Sequence, residues 1–227
     1  HYRLYRLDRR VNESMPPKIQ LIDCSQKVLT SGCSPELLRS IARHLSRKGQ
    51  VLLYLNRRGF APLVLCHGCG WQSTCHQCDA RLTLHQSINQ LVCHHCGCAQ
   101  SLPDDCPSCG NTEIKHYGIG TQQLEKYCIS KFPDVDVIRI DRDSVSGVSQ
   151  LESRMEPVAQ GKPCILIGTQ MLAKGHDYPH ISLVGILDAD QALYSSYYRA
   201  TERLIQTVLQ VSGRAGRAES SGQALLQ

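Results

Sequence analysis

Four Cys-x-x-Cys pairs in one stretch of the chain constrain its fold more than any other sequence feature. They are Cys66/Cys69, Cys75/Cys78, Cys93/Cys96 and Cys106/Cys109. A tetrahedral zinc site needs four ligands, and each Cys-x-x-Cys turn supplies two of them. Eight thiols therefore predict two four-cysteine zinc sites, and closed sites of this kind leave no open position for catalysis.

The spacing leaves open which pairs share a zinc ion. In a nested arrangement, Cys75/Cys78 joins Cys93/Cys96, and the outer pairs Cys66/Cys69 and Cys106/Cys109 close around it. Interleaved pairing is the alternative. Histidines beside the thiols could substitute as ligands, but with eight thiols present we expect bystanders at His67, His76, His94 and His95. A redox role for one pair is disfavoured because four pairs occur together.

The chain has 13 cysteines, an odd number, and no secretory signal, so a disulfide scaffold is disfavoured and a reducing cytoplasm is expected. The cysteines outside the cluster are interpreted as small buried hydrophobes: Cys24, Cys33, Cys128 and Cys164. No apolar run approaches the roughly 20 residues of a membrane-spanning helix, so no membrane partner is expected. The chain lacks an initiator Met, which suggests a piece of a longer protein.

The formal charge of +5 is mild, and it indicates an anionic partner only weakly. Each zinc ion with four thiolates carries about −2, so two sites lower that charge to about +1. Within residues 66–109 the only Lys or Arg is Arg81, against Asp79, Asp104 and Asp105. The region is thus a poor phosphate binder, and Trp71 suits a protein partner or a stacked base better.

Strands and helices alternate around the cysteine-rich region, which predicts an α/β fold with a mostly parallel sheet. Residues 1–30 are interpreted as a linker from a missing upstream lobe. Residues 31–65 and 110–227 form the α/β domain, and residues 66–109 form a small zinc module inserted at a strand end. Such a cysteine-rich segment is expected to need metal rather than an apolar core to fold.

Individual elements follow from local patterns. Ser34 as N-cap and Pro35 at the first helical position predict a helix that ends at Gly49. Further helices are predicted at 121–131, 148–160 and 199–211. Strands are predicted at 51–55, 135–140, 164–167, 181–187 and 224–226.

Two glycine-containing runs carry the chemistry of the α/β domain. In the first, Ile165–Asp177, a buried strand ends near Thr169, and a loop ends in Gly175-His-Asp177. The second run, Gln210–Arg217, contains Gly213-Arg214 and Gly216-Arg217. Glycine permits close backbone approach, and guanidinium groups suit bidentate phosphate recognition. Each run alone is compatible with a solvated turn, but the two in this order indicate a nucleotide-dependent site.

These runs resemble motifs V and VI of superfamily 2 helicases. Together with the four Cys pairs, three further runs extend the resemblance over nearly the whole chain: Leu55–Pro62, Gly118–Glu125 and Arg139–Asp143. The whole pattern is similar to the PriA-type (primosomal protein N′) family of replication-restart DNA helicases. The resemblance implies a second RecA-like helicase lobe with a zinc-ribbon-like module and nested zinc sites.

By this resemblance, the full-length protein is an ATP-dependent 3′–5′ DNA helicase that recognises stalled or branched forks and promotes primosome assembly. Arg214 and Arg217 would act on the ATP phosphates, in a loop shaped by Gln210 and Gly213. Gly175 and Asp177 would approach the nucleotide. DNA contacts are expected at Thr169, Thr121, Arg57 and Arg58. Asp188-Ala-Asp190 resembles an acidic turn of the family, without a derivable role.

The implied partners are branched or single-stranded DNA, primosome proteins and single-strand-binding proteins, and the protein is expected to be monomeric. The implied cofactors are two Zn²⁺, with ATP and Mg²⁺ shared with the missing lobe. No Gly-x-x-x-x-Gly-Lys-Ser/Thr run and no Asp-Glu-x-His box occur here, so residues 1–227 alone are expected to be inactive. A non-enzymatic zinc module that docks protein or DNA partners on an α/β scaffold is the alternative function.

Overall fold

The computed structural model describes residues 16–55, 63–66, 68–78, 80, 82–85, 88–93, 95–112, 114–117, 120–141, 144, 148–169, 172, 178–192, 198–216 and 222–227. Its strands are β1 (Lys18–Leu21), β2 (Gln50–Leu55), β3 (Leu63–Cys66), β4 (Thr83–His85), β5 (Gln90–Val92), β6 (Ala99–Ser101), β7 (Ile114–Tyr117), β8 (Asp136–Ile140), β9 (Cys164–Gly168), β10 (Ile181–Leu187) and β11 (Gln223–Leu226). Its α-helices are α1 (Pro35–Ser46), α2 (Thr121–Lys131), α3 (Val148–Ala159) and α4 (Ala200–Ser212), and a 3₁₀ helix covers Ala189–Ala192.

Six strands form one parallel sheet in the order β1-β11-β10-β2-β9-β8. Every residue of the central strands β2 and β9 is buried, which explains their nearly uninterrupted apolar sequences. Alternate strand residues face two separate apolar clusters. The cluster containing Leu53 and Ile167 also contains residues of α1 and α2, whereas the cluster containing Leu52 and Leu166 contains residues of α3 and α4. The predicted α/β class with a mostly parallel sheet is confirmed.

The first helix begins as its sequence predicts. The Ser34 side chain accepts a hydrogen bond from the N–H of Leu37, and Pro35 occupies the first turn. The helix ends at Ser46 rather than at Gly49, and the left-handed residue after it is Lys48, with φ of 59°. Gly49 has another role, because a Cβ there would collide with the Ser182 hydroxyl.

The linker prediction for residues 1–30 is wrong over Lys18–Leu21. These residues form β1, which pairs in parallel with β11 at the edge of the main sheet. Ile22, just after the strand, is buried in the same cluster as α1 and α2. The polar, Pro-containing sequence concealed this strand because an edge strand needs no alternating buried face, and all four of its residues are exposed.

The cysteine-rich region contains one small antiparallel sheet, β4-β5-β6, and a second antiparallel pair, β3-β7, lies where the chain enters and leaves it. Contrary to the expectation that this region lacks an apolar core, Val64, Leu82, Leu84 and Leu91 are buried together with Cys75 and Cys93. Metal ligands and apolar side chains therefore share one cluster. No described helix is both long enough and apolar enough to cross a bilayer.

Candidate zinc sites and helicase-type edges of the sheet

The eight paired cysteines converge on two points. In the inner site, the Sγ atoms of Cys75 and Cys96 lie 3.5 Å apart, and those of Cys78 and Cys93 lie 3.4 Å apart. In the outer site, the facing pairs Cys66/Cys109 and Cys69/Cys106 are each separated by 3.6 Å. All four sulfur atoms of each site lie within 4.8 Å of one another.

These distances fit zinc. A tetrahedron with Zn–S bonds of about 2.3 Å has sulfur–sulfur edges of roughly 3.8 Å, close to the separations observed. The donor set is entirely thiolate, which favours zinc over harder cations. The nested pairing is confirmed, and the interleaved alternative is excluded by the grouping of the eight sulfur atoms.

The same backbone turn occurs at all four Cys-x-x-Cys pairs. The N–H of the first cysteine donates to the carbonyl five residues later: Cys66 to Trp71, Cys75 to Ala80, Cys93 to Cys98 and Cys106 to Asn111. Three of the turns place a glycine with positive φ directly after the second cysteine, at Gly70, Gly97 and Gly110. Glycine adopts this left-handed conformation without strain, so these residues are part of the ligand-holding turn.

Backbone hydrogen bonds also favour the thiolate form of two inner-site ligands. The N–H of Gln77 is 3.4 Å from Cys75 Sγ and lowers the pKa of that thiol. Donation from the backbone of Cys96 lowers the pKa of Cys93 to about 6. Backbone donors also act on Cys78 and Cys96, but burial and hydrogen bonds among the sulfur atoms outweigh them and raise the pKa of both thiols. The ligand role requires deprotonated sulfur, so metal binding at this site must displace protons from these two ligands.

The remaining cysteines behave differently from the ligands. Burial raises the pKa of Cys33 and Cys128 to about 12 and that of Cys164 to about 11. These three are protonated, apolar side chains of the main domain, as the sequence predicted, whereas Cys24 is only partly buried. Cys98 lies beside the inner site, with its Sγ 3.7 Å from His76 Nε2. His67 and His94 lie outside the described residues.

The carboxyl edge of the main sheet collects two of the predicted DNA-contact residues. Strands β8 and β9 pair Ile140 with Gly168, so Asp141 and Thr169 follow them side by side. The Thr121 hydroxyl, in the first turn of α2, donates to Asp141 Oδ2 at 2.5 Å. The start of α2 therefore lies at the same edge as Thr169. Thr121 is buried, and its hydroxyl is already engaged within the protein.

A polar network that the sequence did not assign a role holds this edge together. Arg139 Nε lies 2.9 Å from Glu125 Oε2, and its Nη1 lies 2.5 Å from Asp141 Oδ2. Ser144 donates its N–H to Asp141 Oδ1, and the N–H of Asp141 donates to Ser144 Oγ, each at 2.8 Å. These residues fall in or next to the runs Gly118–Glu125 and Arg139–Asp143. The presence of those runs in the family resemblance was the only sequence feature that pointed to them.

The opposite, amino edge of the sheet carries the described part of the second glycine-containing run, residues 210–216. The run leaves α4 at Ser212, and the N–H of Gly216, with φ of 72°, donates to the Ile181 carbonyl at the start of β10. Gln210 is exposed and Gly213 is half-buried. Arg214 is 7% exposed, and its guanidinium carbon lies 5.7 Å from the centre of the Tyr178 ring.

The structure thus separates the predicted site residues into two groups. Thr121 and Thr169 lie at the carboxyl edge. Gln210 lies in the last turn of α4, and Gly213 and Arg214 follow that helix toward the amino edge. Sequence reasoning did not find the contact of Tyr178 with Arg214, although Tyr178 directly follows the Ile165–Asp177 run. The other predicted residues lie outside the described part of the chain: Arg57, Arg58, Gly175, Asp177 and Arg217.

Two family models and several curated proteins match this chain. Residues 75–100 match the model of the PriA DNA helicase Cys-rich region domain, and residues 116–219 match the helicase conserved C-terminal domain. The Replication restart protein PriA of Haemophilus influenzae is 46% identical over 97% of this chain and 30% of its own length. That of Bacillus subtilis is 37% identical over 100% of this chain and 28% of its own length. A solved structure of S. cerevisiae Dbp5 bound to RNA and ADP BeF3 matches at TM-score 0.43 and 12% identity, over 93% of this chain and 34% of that chain.

The parallel sheet and the two four-cysteine sites define a RecA-like second helicase lobe with an inserted zinc-ribbon-like module. The chain belongs to the PriA family, and it spans about a third of the length of the relatives it matches. Two zinc ions are its structural cofactors, one at Cys66/Cys69/Cys106/Cys109 and one at Cys75/Cys78/Cys93/Cys96.

Proposed function

We propose that this chain is the second lobe of an ATP-dependent 3′–5′ DNA helicase that acts at stalled or branched replication forks and promotes primosome assembly and replication restart. The observation that carries the proposal is the occurrence of a PriA-type Cys-rich region and a helicase C-terminal domain in one chain. Relatives named Replication restart protein PriA align along nearly its whole length.

The nucleotide belongs, in this proposal, at the amino edge of the sheet. Arg214 and Arg217 would contact the ATP phosphates across a cleft between two lobes, where guanidinium groups stabilise the charge of phosphoryl transfer. Gln210 and Gly213 would shape that loop, and the Gly175-to-Asp177 segment would approach the nucleotide. A first lobe would hold the β- and γ-phosphates and Mg²⁺, because this chain has no phosphate-binding loop.

The DNA backbone belongs at the carboxyl edge. Thr169 and the first turn of α2 lie together there, and no side chain caps that helix in the described part of the molecule. The Thr121 hydroxyl is engaged by Asp141, so the contact assigned to Thr121 would come from the first-turn N–H groups, which suit a phosphate. Arg57 and Arg58 follow the buried strand β2 and would add positive charge at this edge.

The zinc module suits a partner-binding role. Its two sites have all four positions of each zinc filled by thiolates, so the metals act structurally. Residues 66–109 would form this module within a lobe made of 31–65 and 110–227. The proposed partners of the full-length, monomeric protein are branched or single-stranded DNA, primosome proteins and single-strand-binding proteins, in the bacterial cytoplasm.

The test uses the full-length protein that contains this chain. R214A and R217A should each lower DNA-stimulated ATP turnover by about 100-fold or more, because each removes a cation from the phosphoryl-transfer site. Affinity for a forked DNA should change by less than about threefold. R203A, an exposed arginine on α4, is the matched control and should leave turnover unchanged.

Two outcomes would contradict the proposal. Wild-type turnover in R214A and R217A would favour the non-enzymatic docking module instead. ATP turnover by residues 1–227 alone would show that no first lobe is needed.

A further inference from the structure

The Tyr178 ring and the Arg214 guanidinium form a buried pair at the amino edge of the sheet. Tyr178 is 3% exposed and Arg214 is 7% exposed. The distance of 5.7 Å from the guanidinium carbon to the ring centre lies within the roughly 6 Å over which an aromatic face attracts a cation. Such attraction is stronger away from water, so burial strengthens this contact.

Each member of the pair is fixed by its own backbone. Tyr178 belongs to the apolar cluster under α3 and α4, and its carbonyl accepts from the N–H of Ile181 at the start of β10. Arg214 donates its backbone N–H to the Val211 carbonyl in the last turn of α4. The hydrogen bond from the N–H of Gly216 to the Ile181 carbonyl then ties the loop that contains Arg214 to β10, the strand that follows Tyr178.

We propose that Tyr178 is a positioning residue that holds the Arg214 guanidinium ready for the ATP phosphates. An arginine side chain has many rotamers, and a cation stabilises a transition state most when its direction is fixed before the reaction. The ring supplies that direction, and the contact joins the residue that follows the Ile165–Asp177 run in sequence to the loop after α4. This inference rests on the proposed function, because it assigns Arg214 to the nucleotide.

The first measurement is steady-state ATP turnover of the full-length protein with Y178F and Y178L. Phenylalanine keeps the aromatic face, so Y178F should retain kcat within about twofold. Leucine keeps an apolar side chain but removes the face, so Y178L should lower kcat by about tenfold or more and change the KM for ATP by less than about threefold. Equal kcat values for Y178L and wild type would overturn the inference.

The second measurement is a double-mutant cycle on binding of ADP with aluminium fluoride, a mimic of the transferring phosphoryl group. R214A should weaken this binding, and Y178L should weaken it no further in the R214A background, because the ring acts through the guanidinium. Affinity for ADP alone should stay within about threefold in each variant. Additive losses would show that Tyr178 acts independently of Arg214, and would overturn the inference.

The matched control is Y54L. Tyr54 is buried in the same apolar cluster, but it pairs with Gly168 at the other end of the sheet. Y54L should lower the melting temperature without a selective loss of binding to ADP with aluminium fluoride. An equal selective loss in Y54L would assign the effect of Y178L to general destabilisation. Full turnover in R214A would refute the proposed function itself, whereas inactive R214A with active Y178L would refute only the positioning role.

Discussion

Thr121 donates its hydroxyl hydrogen to Asp141, and this single contact joins the start of α2 to the carboxyl end of β8. Asp141 also accepts from Arg139 and from the backbone N–H of Ser144. A buried carboxylate with this many donors is strongly stabilised in its charged form. Asp141 therefore ties the proposed DNA-facing turn of α2 to the sheet, beside the ion pair of Arg139 with Glu125.

Replacing that side chain should destabilise the protein. D141N keeps the shape but removes the charge, and it should lower the free energy of unfolding by about 2–3 kcal/mol in urea at neutral pH. D136N, at the exposed start of the same strand, is the control and should cost less than about 0.5 kcal/mol. Equal effects of the two variants would contradict the role of the network.

The same carboxylate predicts a pH dependence. Burial opposes ionisation of Asp141, but hydrogen bonds from Thr121, Ser144 and Arg139 outweigh it and hold its pKa below the usual value. The stabilisation is complete above the unfolded-state pKa of about 3.9 and is lost as the pH falls through the lower folded-state value. Below about pH 4, the wild-type protein should therefore lose more stability than D141N. Equal losses of unfolding free energy below about pH 4 in the wild-type protein and in D141N would refute this prediction.

His44 predicts a second pH effect, near neutrality. Its Nδ1 lies 2.9 Å from Ser182 Oγ, and its Nε2 lies 3.3 Å from Gln223 Oε1. Burial lowers the pKa of His44, and repulsion from Arg47 and Arg43 adds to the decrease against the hydrogen bond to Gln223. The pKa of His44 in the folded protein lies below its unfolded-state value of about 6.5. The contribution of neutral His44 to protein stability is therefore complete above about pH 6.5, and it is lost as the pH falls through the folded-state pKa.

The expected result is a ring that titrates in NMR below about pH 6.5, and a wild-type stability that declines below that pH more steeply than the stability of H44Q. A ring that titrates above this value, or identical slopes for both proteins, would exclude the mechanism.

Metal content should report the independence of the two zinc sites. C93S removes one inner ligand, so native mass spectrometry should find about one zinc ion per chain instead of two. C98S is the matched control, because its thiol lies beside the inner site but outside the ligand set, and it should keep both ions. Loss of both ions in C93S would mean that the outer site depends on the inner one.

Gly222 should tolerate no side chain. A Cβ there would collide with the backbone of Ala215 and Gly216, in the loop that carries Arg214. Because backbone atoms cannot rotate away, G222A should lower the free energy of unfolding by about 2–3 kcal/mol. G161A is the comparison: that residue has φ of 73°, but its nearest neighbour is the His180 ring, so a cost of about 1 kcal/mol is expected. A cost for G222A no greater than that for G161A would contradict the steric argument.

The elements predicted from sequence are those whose signals are local. The cap at Ser34, the bounds of α2 and β10, and the convergence of eight thiols on two sites all follow from patterns within a few residues or from fixed metal chemistry, whereas the spacing left open which pairs share a zinc ion. Strand β1 was missed because its stability comes from pairing with β11, at the other end of the chain. The Arg139 network and the Tyr178–Arg214 contact were missed for the same reason, because each joins residues that only the folded sheet brings together.

The chain segments that enter and leave the zinc module lie side by side. Strands β3 and β7 are antiparallel, and Cys66 lies directly opposite Ile114. The chain therefore leaves the α/β domain toward the zinc sites and returns to it at adjacent positions. Because both connections lie side by side, insertions or deletions within the zinc module can be accommodated without moving β3 or β7 relative to the α/β domain.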